Sequence, residues 1–128
     1  HTLDVSISNG VLHETGDLVL KNDIDFKIRD LKVHELTTDL KEFNIYGGWA
    51  LLPAKEHTYA IAQTSENAWI DLNGDKLADA QQKFATVVVG TIGKGAFVVF
   101  SDDAIFQNNF LVGHNYSLGE NLVRWLAN

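Results

Sequence analysis

Thr86-Val-Val-Val89 and Ala96-Phe-Val-Val-Phe100, separated by Gly90-Thr-Ile-Gly-Lys-Gly95, decide how the rest of this chain is read. Both runs are continuously apolar, rich in β-branched and aromatic residues and bounded by glycine, which is the signature of strands. Their connection is too short for a crossover, so the two predict an antiparallel hairpin. Continuous apolarity implies burial on both faces, the habit of a central strand in a layered α/β sheet. The fold expected is therefore α/β: a layered mixed sheet with flanking helices in one domain spanning residues 1–128.

Weaker signals lie upstream. Val5-Ser-Ile7 alternates before Asn9-Gly10, a hairpin-type turn pair. Leu18-Val-Leu20, Phe26-Lys-Ile28 and Tyr59-Ala-Ile-Ala62 read as short strands. Phe43 to Leu52 reads as one strand with a bulge at Gly47-Gly48. Downstream, Asp102 or Asp103 is placed to cap a short helix from Ala104 to Leu111. Ser117 and Glu120 have capping-box spacing, and Leu118, Leu122, Trp125 and Leu126 fall on one face of a terminal helix.

Composition narrows the function. A net charge of −7 with ten scattered Lys and Arg lacks the basic footprint that nucleic acid or an anionic membrane requires. No apolar stretch is long enough to insert into a membrane. With 45% hydrophobic and 21% charged residues the chain has ordinary globular composition. There is no Cys, hence no disulfide, thiolate ligand or thiol nucleophile. A chain that starts at His1 and contains no Met reads as a processed or excised piece, with any signal or anchor in what was removed.

The most chemical stretch is Asp71-Leu-Asn-Gly-Asp-Lys-Leu-Ala-Asp79. Asp71, Asn73, Asp75 and Asp79, with the backbone carbonyl of Leu77, are spaced to wrap a calcium ion. Lys76 and Gln82 stand where an EF-hand has its glycine and its bidentate glutamate, so this is not an EF-hand. The same Asx and Gly residues also build an ordinary turn. Ser101-Asp-Asp103, beyond the end of a buried strand, marks a second candidate, because ligands gather at such ends in open α/β sheets. Helix capping and loop hydrogen bonding are its plainer roles. The five histidines show no His-Glu-x-x-His zinc spacing, and Ser101 has no nucleophile-elbow glycines. The Gly90–Gly95 segment lacks the Gly-Lys-Ser/Thr ending of a phosphate loop.

The order Trp69-Ile-Asp-Leu-Asn-Gly-Asp75, Val87-Val-Val89, Gly93-Lys-Gly95, Phe97-Val-Val-Phe-Ser-Asp102, Ile105-Phe-Gln-Asn108, Asn115 and Asn121-Leu-Val-Arg-Trp-Leu126 resembles the DUF4350 domain. That domain is related to the GIFT domain of intraflagellar transport proteins and, more distantly, to the class I glutamine amidotransferase-like fold. His34-Glu-Leu-Thr37 resembles its His-Pro-Leu-Thr segment, with Glu35 in place of the proline; His114 stands where an Asp commonly precedes the Asn. The resemblance covers about residues 34–126. It implies a glutamine amidotransferase-like or GIFT-like fold, of which this chain is either the whole domain or the C-terminal part. It also implies exported or membrane-anchored prokaryotic proteins, some associated with transport systems, and marks Asp102 and Asn108 as recurring positions. Amidotransferase chemistry needs the Cys that is missing here.

These readings converge on a non-catalytic binding or scaffold domain at the cell surface or outside it, braced by calcium, with a protein or small ligand as partner. Weak ligand contacts fall to Asp102, Asp103 and Asn108. One alternative is a hydrolase using Asp102 or Asp103 with His114. Another is a subunit-assembly domain, for which a homodimer is one form.

Overall fold

A computed structural model describes residues 5–53, 57–72, 78–102 and 113–127. Among the described residues the regular structure is ten strands, two short 3-10 turns and one long helix. The strands are β1 (Val5–His13), β2 (Asp25–Ile28), β3 (Asp30–Leu31), β4 (Phe43–Tyr46) and β5 (Trp49–Pro53), then β6 (Thr58–Gln63), β7 (Trp69–Ile70), β8 (Ala80–Gln81), β9 (Ala85–Ile92) and β10 (Gly95–Phe100). The helix, α1, spans Gly113–Ala127. Eight strands form one sheet in the order β3-β6-β9-β5-β1-β7-β8, with β10 also paired to β9, while β2 and β4 form a separate pair.

Every pairing among the described strands is antiparallel. This overturns the layered α/β expectation: the fold is β-rich, with a sheet curled into a half-barrel and one C-terminal helix. The misreading has a physical cause. An apolar run buried on both faces fits a parallel central strand, but a bulged antiparallel strand in a curled sheet meets the same requirement. Register shifts between β6 and β9 around Ala62 displace the alternation. As a result Val87 and Val89 face the main core, while Ala85 and Val88 join Leu51 on the opposite face. The three consecutive valines are at most 3% exposed.

The hairpin itself forms as expected. β9 and β10 pair from Ile92↔Gly95 to Val87↔Phe100. Elsewhere the local signals were redirected. Asn9-Gly10 makes no hairpin; it lies inside β1, which shifts register between Ile7 and Val11. That irregularity lets one strand serve β5 with its first part and β7 with Leu12 and His13. The Phe43–Leu52 stretch splits into β4 and β5, which belong to different sheets. The break falls at Gly47, whose φ of 78° suits glycine. Leu18 closes a short 3-10 turn, and Val19 bridges Phe26.

Helix α1 starts at Gly113, so Ser117 lies within it rather than at its N-cap. Leu118, Leu122 and Trp125 pack on the main core, as their spacing predicts. Leu126 does not: it is 67% exposed. The helix covers β4 and the 3-10 turn Glu35–Thr37. The expected helix Ala104–Leu111 lies outside the described residues.

Candidate functional site

Several of the buried polar side chains are committed to backbone. Asn115 sits fully buried in the first turn of α1. Its Oδ1 accepts from Asn44 N at 2.7 Å and its Nδ2 donates to Asn44 O at 3.1 Å. The amide thus stands in for a neighbouring strand along β4. One helical turn and a half further on, Asn121 Nδ2 donates to Leu36 O and Thr38 O, each at 2.9 Å. Glu14 is 1% exposed, and its carboxylate accepts from Ser65 N, Ser65 Oγ and Thr15 N at 2.9, 2.7 and 3.0 Å. Such arrangements offset the desolvation of the polar group and hold one backbone conformation.

Asp102 behaves the same way. It is 5% exposed, and Oδ2 accepts from Tyr46 N at 2.6 Å. Its hydrogen bond ties the end of β10 to the end of β4. The proposed acid–base partner, His114, is exposed; its Nε2 lies 3.9 Å from Glu42 Oε2. Asp103 and Asn108 lie outside the described residues.

Of the loop expected to hold calcium, Asn73, Asp75 and Leu77 also lie outside the described residues. Asp71 is half-buried and Asp79 exposed. Asp79 Oδ2 accepts from Leu72 N at 2.6 Å, and Asp79 N donates to Ile70 O at 2.9 Å. These bonds close the base of the loop. Among the described residues no three His, Asp or Glu side chains group closely enough to hold a metal ion. Beside the loop, Trp69 stacks on His13 with ring centroids 4.0 Å apart, and His13 Nδ1 lies 3.0 Å from Asp23 Oδ2.

The segment His34–Thr37 is a capping unit. His34 Nδ1 accepts from Leu36 N at 3.0 Å, and Thr37 Oγ1 accepts from His34 N at 3.1 Å. This reciprocal arrangement is a capping box with imidazole in place of the usual hydroxyl. Burial holds the His34 imidazole below its ordinary pKa, with Glu35 acting weakly in the opposite direction. The ring meets Trp125 and Tyr59 edge-on, at centroid distances of 5.7 and 6.5 Å. These three rings border a cavity of about 310 Å³ over β6, β9 and the start of β10. Sequence reading missed this cavity. The His-x-Leu-Thr motif was visible, but nothing local says that its imidazole would meet a tryptophan from the last helix.

A second, more polar groove of about 540 Å³ collects Lys27, Arg29 and Lys83 with Asp30 and Glu66. Part of its charge is matched by ion pairs. Lys83 Nζ reaches Asp30 Oδ2 at 2.6 Å, which raises the lysine pKa, and Arg29 Nε reaches Glu42 at 3.2 Å.

No family model matches the chain, and no curated protein matches it. Its fold is similar to a solved structure described as "mmIFT52 N-terminal domain", with a TM-score of 0.71 over 98% of this chain at 13% identity. The chain spans 54% of that structure. At this identity the likeness establishes the β-rich fold alone. Among the described residues no helix is long and apolar enough to cross a membrane.

Proposed function

We propose that this chain is a non-catalytic scaffold domain that works in protein assembly. The observation that carries the reading is the use made of its buried and half-buried polar side chains. Asp102, Asn115, Asn121, Glu14 and His34 are each spent on fixing backbone. A catalytic pair needs a base within hydrogen-bond reach of the group it activates. The imidazole nominated for that role, His114, is exposed and lies 3.9 Å from Glu42 Oε2. Two likenesses support the assembly role: the motif order that resembles a relative of the GIFT domain, and the fold shared with the mmIFT52 N-terminal domain.

The test has two arms. Purified protein is assayed against chromogenic ester, phosphate and glycoside substrates, with His114→Ala as the comparison. In parallel, crosslinking in the cell that encodes the protein is read by quantitative mass spectrometry. The expected result is no turnover above buffer and a partner recovered in fixed stoichiometry. Turnover that disappears in His114→Ala would replace this reading with the hydrolase.

A further inference from the structure

A strand at a sheet edge presents unpaired N–H and C=O groups, and proteins usually shorten such strands or place charge on them. β3 has two residues, and Asp30 within it carries ion pairs to Lys32 and Lys83. β8 also has only two residues, Ala80 and Gln81. β10 differs: it has six residues, Gly95-Ala-Phe-Val-Val-Phe100, with neither charge nor proline. Among the described strands it pairs only with β9.

The register shows which backbone groups are open. The tight Gly93-Lys94 turn makes Ile92 and Gly95 a hydrogen-bonded pair, so Gly95, Phe97 and Val99 direct their N–H and C=O groups towards β9. Ser101 N, which donates to Thr86 O at 2.9 Å, continues that parity. Ala96 and Val98 therefore point theirs away from β9. Beside Ala96 lies a cavity of about 270 Å³ bordered by Glu35, Trp125 and Leu126. It shares Ala96 and Trp125 with the larger cavity next to His34 and Tyr59. Glu35 is exposed and makes no ion pair with any described residue. Ala96, at the start of β10, and the end of α1 thus border one groove.

We propose that this groove takes an extended, basic segment of a partner polypeptide as an added antiparallel strand on β10, with a lysine or arginine side chain set between Trp125 and Glu35. The proposal rests on the assembly reading and names its surface. Strand addition draws affinity from main-chain hydrogen bonds and selectivity from pockets for alternate side chains. The pocket here joins an indole to a carboxylate, which favours a cation. Net charge points the same way, since a chain of −7 attracts basic segments. A second copy fits less well, because its own β10 has no cation to offer Glu35.

The probe is a blocked octapeptide of alternating valine and lysine, titrated calorimetrically and by amide exchange read by NMR. Controls are the valine–glutamate peptide and the valine–lysine peptide with every second amide N-methylated, which keeps the charge but blocks pairing. Binding about tenfold or more tighter than either control is expected, each tenfold step being ~1.4 kcal/mol. Amide exchange at Ala96 and Val98 should slow. Ala96→Pro deletes an outward N–H without touching the β9 ladder and should weaken binding about as much as N-methylation. Glu35→Gln should weaken it less. Val123→Glu, 67% exposed on the helix and outside both cavities, should leave binding in place, so that a fold defect in Ala96→Pro does not decide the matter alone. Equal binding of the N-methylated peptide, or protection confined to residues away from β10, would overturn the proposal. So would sedimentation showing a homodimer that Ala96→Pro dissociates, since the edge would then serve a second copy. A crosslinked partner in the cell without peptide binding would sink this surface and leave the assembly reading standing.

Discussion

β9 and β10 are consecutive strands of one hairpin, nearly alike in sequence and unlike in circumstance. Val87, Val88 and Val89 of β9 are at most 3% exposed, enclosed by core on both faces and by β6 and β10 along both edges. The last four residues of β10 are only half-buried, and Gly95 and Ala96 are exposed. The same apolar, β-branched composition thus serves an enclosed centre in one strand and, in the other, a half-buried strand with one neighbour among the described strands. Apolarity in a strand reports that the side chains favour burial. It does not report which neighbours will bury them, because that depends on sheet position.

Placing a charge tests the contrast most severely. Val88→Asp would leave an unpaired carboxylate at a site with 0% exposure. It should cost more than about 4 kcal/mol or abolish folding, whereas Val99→Asp, its cross-strand neighbour, should cost about 1–2 kcal/mol. Urea unfolding followed by circular dichroism would measure both. Equal losses would mean that β10 is as enclosed as β9, and the comparison would fail.

Two glycines sharpen the contrast at smaller scale. A Cβ on Gly90 would lie 2.5 Å from both His57 O and the Phe97 ring. Gly90→Ala should therefore destabilise by about 2–3 kcal/mol through overpacking. Gly93, in the turn, has open space around it but a φ of 58°, so Gly93→Ala should cost only about 1–2 kcal/mol of backbone strain. Reversal of that order, read from denaturation midpoints, would place the tight packing in the turn rather than in β9.

The helix that covers β4 hangs on a polar tie as well as on Leu118. Asn115→Ala would remove both hydrogen bonds to the Asn44 backbone and should cost about 1–3 kcal/mol. Exchange of the Asn44 amide should accelerate in that variant more than exchange at Val88. Uniform acceleration would show that α1 and β9 unfold as one unit.

The smallest effect concerns pH. The folded state holds His34 below its ordinary pKa, while the unfolded chain takes up that proton near about 6.5. Its contribution is therefore complete above that value and is lost as pH falls through the lower folded-state value. Denaturation midpoints should drop between neutral and mildly acidic pH, and drop less in His34→Asn, which retains a capping acceptor. An unchanged pH slope in that variant would show that other groups carry the dependence.

Much of this was legible locally. The hairpin and the inward set Leu118, Leu122 and Trp125 follow from turn chemistry and helical period, whereas the narrowing of the Gly90–Gly95 connection to a Gly93-Lys94 turn came from strand pairing. Asn9-Gly10 shows where local reading stops. The pair favours a hairpin by itself, yet it lies within β1, because pairing with both β5 and β7 outweighs a preference of one turn. At the candidate sites the sequence named Asp102 but not its use, since the amide it accepts from belongs to Tyr46, distant in the chain. Likewise His34 and Trp125 meet only through the packing of α1.

By itself the sequence determined what short-range physics controls: strand and helix periods, one hairpin connection, a chain without thiols and a negative surface. The tertiary structure alone decided that every pairing among the described strands is antiparallel, that the helix covers β4, and that β10 has β9 as its one neighbour among those strands. The reason is physical. Turns and periods are encoded over a few residues, whereas sheet order and edge position come from the combined burial of side chains from Leu12 to Leu118, which no local window contains.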